Sequence, residues 1–129
     1  MSCSTPDNED VAVRNVVEGI IKADNDADLA KVLSFYDTHA ILIPPARPQI
    51  QGLTEIQKNY EDIFRNSTLN LRVEIDSIQV SGDLAICRGK TLGEVTSRKD
   101  LVVTSVNDRF VMSLKKDAHW KITLLIWNR

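Results

Sequence analysis

The stretch that decides the fold is Leu69-Asn70-Leu71-Arg72-Val73-Glu74-Ile75-Asp76-Ser77-Ile78-Gln79-Val80-Ser81-Gly82-Asp83. Leu69, Leu71, Val73 and Ile75 alternate with polar residues, the period-two pattern of a strand with one buried face. Ile78 and Val80 continue the alternation out of phase. One extra residue near Asp76-Ser77 restores the face; that is what a β-bulge does, and a bulge bends its strand. The stretch therefore predicts a strongly curved sheet, and Gly82-Asp83 ends it in a hairpin turn.

Toward the C-terminus the reading stays extended. Leu84 to Val95 is a second long strand, with Gly89 and Gly93 at bends or close approaches. Thr96 to Asp100 is a polar connection, and Leu101 to Leu114 is a third strand. Lys115 to His119 is a turn, and Trp120 to Trp127 is the last strand. In that last strand Ile122, Leu124 and Ile126 share one face, while Leu125 and Trp127 share the other. A strand apolar on both faces must be covered on both.

Toward the N-terminus the period becomes helical. Asp7, Asn8 and Asp10 supply capping oxygens and negative charge ahead of Val13, Val16, Val17, Ile20 and Ile21 at helical spacing. Asp24-Asn25-Asp26 breaks that helix, and Leu29, Val32, Leu33 and Tyr36 define a short second one. Ala40 to Ile43 is a short strand stopped by Pro44-Pro45. Thr54-x-x-Gln57 reads as a capping box opening a third helix, whose inner stripe is Ile56, Tyr60, Ile63 and Phe64. Helices segregated from a meander of four strands make an α+β fold: three N-terminal helices packed on a curved, mainly antiparallel sheet. Three helices cover only one side of it. The other side calls for a partner, which predicts a homodimer through the sheet.

The 129 residues are one domain, 1–129, with residues 1–8 read as a flexible tail. The 43% hydrophobic and 26% charged fractions are those of a globular protein. A net charge of -2 gives no electrostatic reason to expect nucleic acid or an anionic membrane surface. No apolar run approaches the roughly 20 residues needed to span a bilayer. Cys3 in a polar segment and Cys87 in an apolar run make a poor disulfide pair, so two free thiols in a cytoplasmic, reducing setting are expected. His39 and His119 lack a partner at metal-ligand spacing and read as surface histidines, so no metal and no cofactor are expected.

This organisation resembles the NTF2-like superfamily, and within it the SnoaL-like and DUF4440-type proteins related to ketosteroid isomerase. The resemblance is carried by Asp26-Ala27-Asp28-Leu29, by Phe35-Tyr36-Asp37-Thr38-His39-Ala40, and by Gly52-Leu53-Thr54-Glu55-Ile56. Gly82-Asp83-Leu84-Ala85, Arg88-Gly89, Arg109-Phe110-Val111, Trp120-Lys121-Ile122 and Trp127-Asn128 extend it, so that it spans about Val11 to Asn128. The family implies a cone: a curved sheet wrapped around helices, with a pocket between them, and no single activity. The isomerase branch's catalytic residues do not carry over. Its base aspartate corresponds to Pro44, its oxyanion tyrosine falls near Glu18, and its second acid falls near Val106.

Other groups must then do any chemistry. Glu18 and Arg88 are the candidate catalytic pair. Glu18 is either a pocket base beside the apolar stripe or an ordinary helix-surface acid. Arg88 either points into the cone, to hold a substrate carboxylate or enolate, or outward into a cross-strand ion pair or dimer contact. A carboxylate facing a guanidinium stays ionised, so the pair would orient a ligand, with Tyr60, better than it would move a carbon-bound proton. The expected lining is Ile43, Tyr60, Phe64, Cys87 and Trp127, with Asp108 either at the mouth or marking a bulge. Two functions fit: an unknown small-molecule ligand bound or turned over by cofactor-independent acid–base chemistry, as in isomerisation, cyclisation or dehydration, or a non-catalytic dimeric module.

Overall fold

The computed structural model describes residues 8–129. Asn8 is helical, and the rest of the expected 1–8 tail, Cys3 included, lies outside the described residues. The order is α1 (Asn8–Asn25), α2 (Leu29–Ser34), β1 (Tyr36–Ile43), β2 (Ile50–Gln51), α3 (Leu53–Asn66), β3 (Ser67–Ser81), β4 (Leu84–Ser97), β5 (Val103–Lys116) and β6 (Trp120–Asn128). The strands form one open sheet in the order β2-β1-β6-β5-β4-β3. Every neighbouring pair is antiparallel except β1 with β6.

The bend of β3 falls where its period shifts: Ile75 pairs with Gly89 and Ser77 with Arg88, which leaves Asp76 as the extra residue. Gly89 and Gly93 let β4 follow that bend. A Cβ on Gly89 would collide with the Glu74 carbonyl, and one on Gly93 with the Asn70 carbonyl. Gly93 also holds a φ of 133° that side-chain-bearing residues avoid. The hairpin turn at Gly82-Asp83 is present, with φ 61° at Gly82.

Three local readings are corrected. Tyr36 is the first residue of β1 and not the last of a helical stripe, because α2 ends at Ser34. Helix α3 starts at Leu53, with Gly52 as its N-cap. No side chain caps it, so the pair Thr54 and Gln57 forms no capping box; Glu55 Oε1 accepts the Gln51 N–H at 3.3 Å just ahead of the helix. In β6 a second bulge intervenes: Leu114 pairs with Ile122 but Ser113 with Leu124, so Thr123 is extra. Ile122 therefore faces inward while Leu124 and Ile126 face outward.

The helices cover the inner face. Val13, Val17 and Ile20 of α1, Val32 of α2 and Ile56 of α3 are buried against Ala85, Cys87, Met112, Leu114 and Ile122 of the sheet. Each such aliphatic side chain contributes roughly 1.5–3 kcal/mol on leaving water. The outer face keeps an apolar band: Leu84, Ile86, Val111 and Ile126 are 55%, 50%, 46% and 37% exposed. No described helix is long and apolar enough to cross a membrane.

Candidate functional site

The upper part of the cone is not filled by side chains. A cavity of about 420 Å³ opens between α1, α3 and the inner face of the sheet. Its walls are apolar, including Leu69, Val73, Val106, Phe110, Met112 and Leu125. Arg47, Asn59, Asp108 and Arg129 are its more exposed polar lining.

The polar groups of the deep end come from three elements. Asp24 follows Val17 and Ile20 by seven and four residues, so α1's own periodicity carries it onto the inner stripe, and all three line the cavity. The helix then stops at once. Ala27 sits in the left-handed region at φ 52°. Asp28 N–H donates to the Ala23 carbonyl at 2.9 Å and Ala27 N–H to the Asp24 carbonyl at 3.1 Å, a Schellman ending. Tyr36 opens β1 and Tyr60 projects from the middle of α3; both are buried. Their hydroxyl oxygens are 2.7 Å apart, and either can donate.

The electrostatics follow from desolvation. Asp24 keeps some exposure as a residue, but its Oδ1 is sealed from solvent and has no hydrogen-bond partner among the described residues. Burial pushes its carboxyl up to about 7. The partial negative charge of a helix C-terminus acts in the same direction. Burial also raises Tyr36, against the opposing effect of its bond to Tyr60, with Asp24 adding a smaller upward push. Tyr60 rises through burial first, then through Tyr36 and Asp24. Both tyrosines are therefore proton donors throughout the ordinary pH range. Asp108 is raised by partial burial, with Arg129 opposing.

Of the residues expected at the site, Tyr60, Asp108 and Trp127 line the cavity. The register of β5 runs unbroken through Asn107 and Asp108, so Asp108 marks no bulge. The other five do not line it. Glu18 is one step around the helix from buried Val17 and is exposed. Arg88 alternates with buried Cys87 and Gly89, which turns it to the outer face. There it joins Asp76, Arg109, Val111 and Ile126 around a shallow hollow of about 250 Å³. Glu18 and Arg88 thus lie on opposite sides of the sheet, and the expected ion pair does not form. Ile43 pairs with outward Ile126, while its neighbour Leu42 is buried. Phe64 packs on the Tyr60 ring, centroids 5.7 Å apart, outside the cavity lining. The Cys87 thiol is free and enclosed in the core, and burial pushes it up to about 11. His39 and His119 are exposed.

Sequence reasoning misses Asp24, which looks like a helix breaker, and Tyr36, which continues the apolar stripe of the short second helix. The i, i+3, i+7 spacing of Val17, Ile20 and Asp24 is the signal that finds the first.

The comparisons with known proteins agree with this fold. The model of the SnoaL-like domain matches residues 17–119. Among curated proteins, none matches the sequence. Among solved structures, the chain is similar to a ketosteroid isomerase-like protein from Erwinia carotovora atroseptica, with 26% identity, a TM-score of 0.87, and 95% of this chain and 96% of that one covered. A proposed dehydratase of the NTF2-like family from Streptomyces avermitilis superposes with a TM-score of 0.79 at 14% identity, over 95% and 97% of the two chains. An NTF2-like protein of unknown function from Shewanella oneidensis superposes with a TM-score of 0.78 at 20% identity, over 94% and 99%. A cone of helices on a bulged open sheet, a domain match over most of the chain and these likenesses lead to one assignment: this chain belongs to the SnoaL-like family of the NTF2-like superfamily.

Proposed function

We propose that this chain is an acid–base enzyme of the isomerase, cyclase or dehydratase kind. Its substrate is a small, largely apolar molecule with one oxygen function, and its chemistry uses its own side chains. The observation that carries this reading is that the raised Asp24 carboxyl and the hydrogen-bonded Tyr36–Tyr60 pair line one apolar cavity, with Asp24 acting electrostatically on both hydroxyls. A carboxyl that titrates near 7 can both take and return a proton at neutral pH, where an exposed aspartate is a poor acid. When one tyrosine hydroxyl donates to the other, the second keeps its own proton for a ligand oxygen. In this reading a carbonyl or hydroxyl oxygen binds to that hydroxyl, and Asp24 moves a proton at the adjacent carbon or oxygen. The apolar walls exclude water and strengthen both interactions. The names of the Erwinia and Streptomyces relatives support the same class of chemistry. The buried free thiol of Cys87 supports a reducing, cytoplasmic setting.

The test incubates wild type and Asp24→Asn with a panel of small ketones, enones and β-hydroxy carbonyl compounds in D2O. NMR then follows deuterium uptake and water loss. Turnover by wild type and its loss in the variant are expected. Ligands that bind, as read by Trp127 fluorescence, but stay unchanged would defeat the enzyme reading.

A second reading is favoured by the outer face. The band of Leu84, Ile86, Val111, Leu124 and Ile126 suits a homodimer formed through the sheet, and such a dimer serves a binding module as well as an enzyme. Sedimentation of wild type against Ile126→Glu tests the assembly; a wild-type monomer at micromolar concentration removes it.

A further inference from the structure

The residue after Asp24 holds the end of α1 in place and takes no part in the acid–base reading. We propose that Asn25 is the positioning residue of the site: its side-chain amide fastens the last turn of α1 to the free edge of β3 and so fixes how far the Asp24 carboxyl enters the cavity. The proposal rests on the reading of Asp24 as the reacting carboxyl.

Leu71 N–H donates to Asn25 Oδ1 at 2.8 Å, and Asn25 Nδ2 donates to the Leu71 carbonyl at 2.9 Å. An asparagine amide carries the same donor and acceptor as a peptide group, so it pairs with a strand edge as one residue of an added strand would. β3 is the edge strand of the sheet, and Leu71 has no strand on that side. Opposite Leu71 stands Gly93, whose missing Cβ lets β4 press against the Asn70 carbonyl. At Leu71, β3 is thus held from one side by Gly93 and from the other by Asn25.

Successive helical side chains diverge by about 100°. Asp24 therefore turns to the cavity while Asn25 turns to the strand, and the clamp on one sets the azimuth of the other. Leu71 itself lines the cavity, so the clamp also fixes one of its walls. The only other side-chain bond in this last turn is the Lys22–Asp26 pair at 2.9 Å among the described residues, and it is exposed. Such a solvent-exposed pair holds the helix end only weakly. Asp24 Oδ1 is sealed from solvent in this position, and misplacement of a reacting group by about 1 Å is costly to catalysis.

The readout is the titration of Asp24 itself, followed by carboxyl 13C NMR in the full chain. The groups that face it are Tyr36 from β1 and Tyr60 from α3, with Arg47, Asp108 and Arg129 at the rim. In Asn25→Leu, which keeps the volume and loses both hydrogen bonds, and in Asn25→Ala, the Asp24 midpoint is expected to fall by at least about one pH unit as water enters. Asp108 is expected to stay where it is. A folded variant with lowered Tm and an unchanged Asp24 midpoint would make Asn25 merely structural and overturn the proposal. Hydrogen exchange of the Asn25 side-chain amide in wild type decides the matter if neither variant folds: protection supports the clamp, and exchange as fast as in an exposed asparagine defeats it. A wild-type Asp24 midpoint near that of ordinary carboxylates would instead sink the acid–base reading, while the exchange result still scores the clamp.

Discussion

The two faces of the sheet carry similar charged residues in opposite circumstances. On the inner face Asp24 sits among apolar walls and two tyrosine hydroxyls, and its carboxyl is driven up to about 7. On the outer face Asp76, Arg88 and Arg109 surround a shallow hollow open to water. Desolvation, not the presence of an acid or a base in the sequence, gives a group its chemistry. One residue of register separates the two faces, since Arg88 would turn inward, to the place of Cys87 in the packed core, if β4 slipped by one.

The largest expected effect tests that contrast directly. Asp24→Asn should lower turnover of any accepted substrate by roughly 10²–10⁴-fold, the usual worth of a positioned acid–base group. Arg88→Ala should leave it within about twofold. Steady-state rates of the two variants on one substrate suffice, and a comparable loss in both would erase the distinction between the faces.

The same carboxyl should also govern stability. The folded state holds the Asp24 proton up to about pH 7, whereas the unfolded chain releases it near 3.8. Between those values the native state binds more protons than the unfolded state, so stability falls as pH rises through the window. The loss is on the order of 4 kcal/mol when complete. Urea unfolding from pH 4 to 8 should show the decline, and Asp24→Asn should flatten it.

Packing should show the contrast at a smaller scale. Leu114→Ala removes a side chain that is 1% exposed and should cost about 2–5 kcal/mol. Ile86→Ala removes one that is 50% exposed on the outer face and should cost less than about 1 kcal/mol in the monomer. A similar cost for both at high protein concentration, but not at low, would show that a second copy covers Ile86.

Much of the fold was legible because alternation and bulges are local. Asp76 breaks the period of β3 in the sequence as visibly as in the structure. The bulge at Thr123 was not legible, because Thr123 carries no pattern break of its own: Ile122, Leu124 and Ile126 alternate regularly, and only pairing with Ser113 and Leu114 reveals the extra residue. The site was half legible for a similar reason. Tyr60, Asp108 and Trp127 sit on regular elements whose inner faces can be counted. Asp24 lies at a helix end, where acids are ordinarily read as solvated turn residues. What raises its carboxyl is burial by elements distant in the sequence, which no local pattern shows.

The smallest effect concerns the residue that ends α1. Ala27 adopts φ 52° at the position where Schellman endings favour glycine. The left-handed region costs a residue with a Cβ roughly 1–2 kcal/mol. Glycine would remove that cost but regain about 0.5–1 kcal/mol of unfolded-state freedom. Ala27→Gly should therefore stabilise by a net of about 0.5–1 kcal/mol, a rise of a few degrees in Tm by differential scanning calorimetry. Its second readout sharpens the comparison of faces. If Asn25 holds the inner-face carboxyl in place, relaxing the cap two residues later should leave the Asp24 midpoint unmoved while Tm rises. A midpoint that shifts with the cap would mean that the helix ending itself, rather than the bond to the β3 edge, places Asp24 in the cavity.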